Sequence, residues 1–246
     1  MSIKAVIFDK DGTLMDFECF WVTVSRYAIE EILEKTGCSA IPVEEVLRCL
    51  DVEDGIANIN GILAQDPFPV MGRAIRSCLV GGGCILTEEE ITDITIEAYH
   101  NNTDKGVVSP ACERIGDVIG GLKKKGIKLA VITTDDPVDT EFCLKKLKIY
   151  SLFDEIYTDD GVMPPKPSPY CLEAFAEKYG LNKDEILMVG DTLNDVRFAE
   201  NSGISVVGVA KAPQNRAILK EHIELVVDNI SYIPEIVSKI NSGVFK

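Results

Sequence analysis

The sequence lacks several features that would mark other classes of protein. No apolar stretch approaches the roughly 20 residues that a membrane-spanning helix needs, and the amino terminus has no basic segment followed by an apolar secretion signal. Basic residues are scarce, since 25 Lys and Arg stand against 40 Asp and Glu, for a formal net charge of -15. Such an excess of negative charge repels nucleic-acid phosphates and anionic membranes. We therefore expect a cytoplasmic protein that binds neither nucleic acid nor membrane.

Paired cysteine motifs are also absent. No two of the eight cysteines form a C-x-x-C pair, and they are scattered through apolar or helical patterns at positions 19, 38, 49, 78, 84, 112, 143 and 171. This distribution is typical of reduced cysteines that pack in the interior, and it gives no indication of a metal or disulfide framework.

The opening segment combines an apolar run with acidic residues. Residues 3–8 are all apolar except Lys4, which is typical of a strand buried on both faces. Asp9 and Asp11 follow directly, and because they flank one residue, both side chains can point to the same side of the chain. Gly12 then permits a sharp turn. Taken alone, the segment is equally well explained as a strand followed by an ordinary Asp-Gly turn.

A long helical region follows. From residue 16 to residue 103 apolar residues recur at three- and four-residue spacing, Pro42 and Pro67 stand where new helices can begin, and Thr87-x-x-Glu90 is a capping box. No convincing strand pattern interrupts this region. We expect a small all-helical domain over 16–103.

The remaining chain alternates between helices and strands. Ser109-Pro110, Asp136-Pro137 and Ser168-Pro169 are predicted helix starts, and apolar runs predict strands at 127–132, 155–158, 186–189, 205–209 and 224–227. Alternation of this kind implies right-handed crossovers and a parallel sheet with helices on both faces. We therefore predict an α/β, Rossmann-like core made of 1–15 and 104–246, with the helical domain inserted between its first two elements. With 246 residues and 46% hydrophobic composition, the chain can fill such a core.

Three further polar clusters accompany the predicted core segments, in addition to the Asp9 and Asp11 pair. Thr133 and Thr134 end one strand, Asp191 and Asp195 follow another, and Lys166 lies in a proline-rich loop before a helix. Each has an ordinary explanation: threonines finishing a strand, a surface lysine, acids that cap a helix. In a parallel sheet, however, all carboxyl ends face one edge, so these groups can converge with Asp9.

Convergence would make chemical sense. Several carboxylates in one place repel each other unless a divalent cation neutralises them. Oxygen ligands from Asp9, Asp191 and a main-chain carbonyl suit Mg²⁺, and the Thr133 hydroxyl with the Lys166 ammonium would complete a cage for a phosphate group. The residues therefore predict a phosphoryl-transfer site.

The same residues resemble a known family. The motif Asp9-x-Asp11-Gly-Thr, then Thr133, Lys166 and Gly-Asp191-x-x-x-Asp195, in this order and after these strands, is similar to the haloacid dehalogenase superfamily of phosphatases. The resemblance covers the whole chain, including a helical cap after the first motif, as in phosphoglycolate-phosphatase-like members.

The resemblance implies a role for each position. Asp9 would be the nucleophile that forms an aspartyl-phosphate, and Asp11 would protonate the leaving oxygen and later take a proton from the attacking water. Lys166 would bridge Asp9 and the phosphate. The remaining implied roles are phosphate binding by Thr133 and Thr134, Mg²⁺ binding by Asp9, Asp11 and Asp191, and, for Asp195, action on a metal-bound water or orientation of Lys166.

Two positions depart from the family pattern. Lys10 stands between the two acids of the first motif, where an apolar or aromatic residue is usual, and its side chain should point away from the phosphate. Asp135, after the threonine pair, adds negative charge near the site without an evident reason.

The resulting functional hypothesis is a Mg²⁺-dependent phosphatase that hydrolyses a small phosphate monoester, such as 2-phosphoglycolate or a sugar phosphate, as a monomer or homodimer. A sugar-phosphate mutase of the same superfamily would keep all the same residues. A non-catalytic receiver-like phospho-acceptor domain would also combine Asp, Mg²⁺, Thr and Lys on an α/β sheet, but it would lack both an acid at position 11 and a long helical insert.

Overall fold

The computed structural model describes residues 2–244. The chain falls into two compact units: Phe17–Val107, and a second unit made of the segments before and after it. The insert predicted from the sequence spans 16–103, so the observed boundaries differ by one residue at the start and four at the end.

The first unit is helical except for one short hairpin. A π-helical turn, Glu18–Val22, continues directly into α1, so the long helix predicted after the opening strand begins with wider turns. Glu90 and Thr87 form the predicted capping box before the last helix. After β1 (Ala5–Phe8) of the other unit, the elements are α1 (Thr23–Lys35), α2 (Val43–Cys49), β2 (Val52–Glu53), β3 (Ile56–Ala57), α3 (Ile62–Gln65), α4 (Phe68–Val80) and α5 (Glu88–Asn102). The antiparallel β2–β3 pair has only two residues in each strand and has no counterpart in the sequence prediction.

The second unit alternates strands and helices after β1. Its further elements are α6 (Ile115–Lys124), β4 (Lys128–Ile132), α7 (Pro137–Lys146), β5 (Glu155–Tyr157), α8 (Tyr170–Tyr179), β6 (Ile186–Gly190), α9 (Leu193–Ser202), β7 (Ser205–Val209), α10 (Pro213–Lys220), β8 (Val226–Val227) and α11 (Ile233–Asn241). Short 3₁₀ helices lie in this unit at Tyr150–Leu152, Lys183–Glu185 and Ile230–Tyr232, and in the first unit at Thr103–Lys105.

Six of these strands form one parallel sheet in the order β5-β4-β1-β6-β7-β8. This confirms the predicted α/β, Rossmann-like fold. Strand β1 lies between β4 and β6, and its last residue, Phe8, pairs with Val131 on one side and Val189 on the other. The ends of these three strands are therefore aligned at one edge of the sheet.

Alternation along β1 supplies both faces of the core. Val6 and Phe8 pack on one side with a cluster that includes residues of α6 and α11, whereas Ile7 packs on the other side with Phe175 of α8 and Phe198 of α9. All four residues of β1 are fully buried. Burial on both faces explains why the strand reads as a continuous apolar run.

Two local differences from the sequence prediction have physical causes. The helix predicted to begin after Ser109-Pro110 begins instead at Ile115, because Arg114 adopts a left-handed conformation with φ 54°. Helix α10, which begins at Pro213, is not in the sequence prediction. Among the residues from 2 to 244, no helix combines the length and apolar character that crossing a bilayer requires.

Candidate active site

The three central strands present their carboxyl-terminal residues side by side. Asp9 follows β1, Thr133 follows β4, and Asp191 follows β6. Because β1 is hydrogen-bonded to both neighbours in parallel register, residues far apart in sequence emerge at the same edge. This edge is where open α/β sheets bind their ligands.

Lys166 reaches this edge from the loop before α8. Its Nζ lies 2.5 Å from Asp9 Oδ1 and 2.6 Å from Asp195 Oδ1. The Lys166 side chain is only 3% exposed. Burial lowers the pKa of this lysine, but Asp195 and Asp9 raise it by more, so its pKa lies above the usual range and the side chain stays charged.

Asp195 is held from two sides. It lies in the first turn of α9, where the backbone N–H and the hydroxyl of Thr192 each donate to Asp195 Oδ2 at 3.0 Å. Its other oxygen, Oδ1, accepts from Lys166. Gly190 leaves space for this side chain, because a Cβ at that position would lie 2.3 Å from Asp195 Cγ. Asp195 therefore combines the helix-capping role with the orientation of Lys166.

Asp191 is positioned by the turn after β1. The Thr13 hydroxyl donates to Asp191 Oδ1 at 3.0 Å. Gly12 has φ +76°, and a Cβ there would lie 2.0 Å from Asp191 Oδ2, so this turn needs glycine both for its backbone and for space. Sequence reasoning assigned Thr13 no role of its own; its place directly after the Asp-Gly turn is the signal that could have suggested one.

Three carboxylates form the centre of the cluster. Asp9, Asp191 and Asp195 each offer an oxygen, and these oxygens lie within 4.8 Å of one another. Burial raises the pKa of Asp9 to about 7; Lys166 opposes the shift, whereas Asp195 and Asp11 add to it. Burial, reinforced by Asp9 and Asp195, raises the pKa of Asp191 well above its ordinary value. The cluster is therefore short of positive charge.

A divalent cation fits this donor set. The single Lys166 ammonium cannot balance the charge of three carboxylates in their ionised form, which would leave two negative charges over. Carboxylate oxygens are hard ligands that suit Mg²⁺. Since Asp195 is engaged by Thr192 and Lys166, the residues best placed to hold a metal are Asp9 and Asp191.

Asp11 lies outside this group of three. Its Oδ1 accepts a hydrogen bond of 2.8 Å from Lys10 Nζ, and the same ammonium forms an ion pair of 2.8 Å with Asp135 Oδ2. Burial lowers the pKa of Lys10, but the two carboxylates raise it by more, so it lies above the ordinary value. For Asp135, burial raises the pKa to about 6, with Asp11 adding to the shift and Lys10 opposing it. Lys10 and Asp135, the two residues that depart from the family pattern, thus form an ion pair with each other.

The two predicted threonines differ in their surroundings. Thr133 is buried, and its hydroxyl accepts from the Asp135 backbone N–H at 3.1 Å. Thr134 is exposed. The structure brings four of the predicted site residues together by direct contacts or short carboxylate separations: Asp9, Lys166, Asp191 and Asp195. Asp11 is linked to the segment that carries Thr133 through Lys10 and Asp135.

Comparison with known proteins identifies relatives along most of the chain. Residues 6–209 match the family model described as haloacid dehalogenase-like hydrolase. The pyrophosphatase PpaX of Bacillus mycoides (strain KBAB4) is 26% identical over 242 residues, covering 98% of this chain and 100% of that protein. The PpaX protein of Bacillus cereus (strain AH820) is also 26% identical, covering 98% and 99%.

Solved structures share the fold. A protein described as a predicted phosphoglycolate phosphatase from Haemophilus somnus 129PT superposes with a TM-score of 0.72 at 21% identity, covering 96% of this chain and 98% of that one. A Thermotoga maritima protein assigned as a β-phosphoglucomutase gives a TM-score of 0.68 at 20% identity, covering 97% and 100%. At these identities the likeness establishes the fold alone.

Proposed function

Because the chain belongs to the haloacid dehalogenase-like hydrolase family, we propose that it is a Mg²⁺-dependent phosphatase that acts on a small phosphorylated metabolite through an aspartyl-phosphate. The observation that carries the proposal is the meeting of Lys166 with Asp9 and Asp195, although Lys166 is 157 residues from one and 29 from the other. A buried ammonium between two carboxylates, beside a third, is a costly arrangement that phosphate chemistry explains.

In the first step a carboxylate oxygen of Asp9 attacks the phosphorus atom. The bond from Asp9 to phosphorus forms as the ester P–O bond breaks, and Asp11 gives its proton to the leaving oxygen. Lys166 holds Asp9 and offsets negative charge on the phosphoryl oxygens. Most of the rate gain would come from this fixed electrostatic arrangement.

In the second step water attacks the phosphorus of the aspartyl-phosphate. Asp11, now ionised, takes a proton from that water, inorganic phosphate leaves, and Asp9 is restored. Thr133, with a buried hydroxyl beside β1, is the proposed partner of a phosphoryl oxygen. For Thr134, exposure supports at most a contact with substrate from the solvent side.

Asp9 and Asp191 would hold Mg²⁺, which when bound supplies positive charge that favours ionised Asp9 and offsets the charge of the substrate phosphate. Asp11 is the weaker candidate as a ligand through its carboxylate, because Oδ1 already accepts from Lys10.

Pyrophosphate is a second candidate substrate. The relatives named pyrophosphatase PpaX match nearly the whole chain, and the same residues could transfer a phosphoryl group from an anhydride as well as from an ester. Pyrophosphate has a phosphate leaving group, which needs less protonation than an alkoxide. Esters and pyrophosphate therefore place different demands on Asp11.

The test is phosphate release across a panel of substrates. 2-Phosphoglycolate, several sugar phosphates, nucleotides and pyrophosphate are each incubated with the wild-type protein and Mg²⁺, and Asp9→Asn serves as the blank. We expect release from at least one substrate by the wild type and none by Asp9→Asn. Equal release by both proteins would reject the proposal, and conversion of a sugar phosphate to its isomer without phosphate release would favour the mutase alternative.

A further inference from the structure

Lys10 is an unusual buried residue. Its side chain is completely buried, yet it carries an ammonium that contacts Asp11 and Asp135 at 2.8 Å each. The Met15 sulfur lies 3.8 Å from the same nitrogen. An apolar side chain of similar size would fill this space without the cost of removing a charge from water. The position therefore needs an explanation other than packing.

The contacts of Lys10 connect two segments that carry proposed site residues. Asp11 belongs to the turn after β1, and Asp135 belongs to the segment after β4. In that second segment the Asp135 backbone N–H donates to the Thr133 hydroxyl at 3.1 Å. Lys10 thus ties the turn that carries Asp11 to the segment that carries Thr133.

The ammonium also distinguishes the two oxygens of Asp11. Lys10 donates to Oδ1, so Oδ2 is the oxygen that remains to exchange a proton with a substrate oxygen. Proton transfer requires the donor to lie within hydrogen-bond reach of its acceptor, and small displacements of a catalytic group are costly. The contact of Lys10 with one oxygen restricts rotation of the Asp11 carboxylate.

We propose that Lys10, held in turn by Asp135, is a positioning residue that fixes the Asp11 carboxylate for proton transfer to the leaving group. This inference rests on the proposed function, since it assigns a task to Asp11 in phosphate ester cleavage. It explains why Lys10 and Asp135 occur together: Lys10 orients the Asp11 carboxylate, and the Asp135 carboxylate holds Lys10 in place.

The test compares two substrates that need acid catalysis to different degrees. An alkyl phosphate from the panel has a poor leaving group, whereas p-nitrophenyl phosphate releases a stable phenolate. The quantity measured is the ratio of kcat/KM for the alkyl ester to kcat/KM for the aryl ester, because kcat/KM reports the steps up to departure of the leaving group. A loss of binding or of folded protein lowers both values and leaves the ratio unchanged.

Asp135→Asn is the principal variant, since it keeps the size of the side chain and removes its charge. We expect it to lower the ratio about tenfold, a part of the 10²- to 10⁴-fold contribution typical of acid catalysis. Lys10→Met should lower the ratio further if it folds. Asp154→Asn is the matched control, because Asp154 has a similar exposure, 17% against 12%, and pairs with Lys128 instead; its ratio should equal that of the wild type.

A double variant separates positioning from a general structural effect. In the Asp11→Asn background, Asp135→Asn should cause no further fall in the ratio, because the group being positioned has gone. An unchanged ratio in Asp135→Asn, or an equal fall with and without Asp11, would overturn the inference while leaving the phosphatase proposal intact. Failure of the wild type to release phosphate from any ester would overturn the inference, and failure on every substrate of the panel, pyrophosphate included, would overturn the phosphatase proposal as well.

Discussion

Lys166 Nζ lies 2.5 Å from Asp9 Oδ1 inside the protein, with the lysine side chain 3% and the aspartate side chain 10% exposed. The contact joins the end of the first strand to a loop more than 150 residues later, so it depends on the tertiary fold and not on local structure. Because the ammonium also binds Asp195, a single lysine orients the proposed nucleophile and a neighbouring acid together.

Removal of the Lys166 charge should impair both activity and stability. We expect Lys166→Met to lower kcat by about 10²- to 10³-fold, as for loss of one donor to developing charge, and to lower the free energy of unfolding by about 3–5 kcal/mol, because two buried carboxylates lose their partner. Urea unfolding and phosphate release measure the two effects. Lys178→Met, which breaks an exposed pair with Glu155, should cost less than about 1 kcal/mol; similar losses in both variants would contradict the assignment.

A methyl group at position 12 should displace Asp191. Gly12→Ala places a Cβ about where Asp191 Oδ2 lies and also puts alanine at φ +76°. Gly126→Ala is the matched control, since its φ is +78° and nothing lies within 4 Å of its added Cβ. Each variant should lose about 1–2 kcal/mol from the left-handed backbone alone. Only Gly12→Ala should also lose stabilisation by Mg²⁺, measured as the rise in Tm on adding the metal; loss in both would mean that the clash is unimportant.

Neutralising Asp191 should stabilise the metal-free protein and at the same time weaken its binding of Mg²⁺. Its pKa is raised by burial and by Asp9 and Asp195, so the ionised form weakens the metal-free protein at neutral pH. We expect Asp191→Asn to have a higher Tm than the wild type in EDTA, no further rise with Mg²⁺, and little phosphatase activity. A lower Tm in EDTA, or an undiminished response to Mg²⁺, would argue against the role of Asp191.

The sign of the pH dependence follows from the raised pKa of Asp9. With a pKa of about 7 against an ordinary value of 3.8, Asp9 binds more protons in the folded state between these values, so the free energy of unfolding falls as pH rises through this range. Metal-free protein should therefore lose stability from about pH 5 to about pH 7.5. Acids with a lowered pKa, such as Glu44 and Glu185, titrate below this window. Urea titrations should show a flatter pH dependence for Asp9→Asn; an identical slope would contradict the shift.

The sequence predicted the α/β core because strand burial leaves a strong signal. Residues 5–8 are apolar without interruption, since both faces of β1 are covered, and the predicted strand at 205–209 coincides with β7. Helix starts were predictable where a proline or cap residue fixes them, as at Asp136, whose side chain accepts from two backbone N–H groups. The predicted start of α6 was wrong, because the observed start follows Arg114 in the left-handed conformation. An arginine in the sequence does not indicate that conformation.

The family and fold were predictable from the motif order, and the match over residues 6–209 confirms the resemblance. The partners of Lys10 were not predictable, because alternation along a strand gives the direction of a side chain but not the residues that it contacts. The pairing with Asp135 depends on how the segments after β1 and β4 lie together. Roles for Thr133, Thr134 and Asp11 stay predictions, and the experiments above address that of Asp11.

The central claim is that Asp9 accepts a phosphoryl group. Wild-type protein in steady turnover is quenched with acid and treated with borohydride, which reduces an acyl phosphate to an alcohol, and the peptide containing residues 5–8 and Asp9 is analysed by mass spectrometry. We predict conversion of Asp9 to homoserine only when substrate is present. Phosphate release without modification of Asp9, or with modification of another acid in its place, would contradict the account.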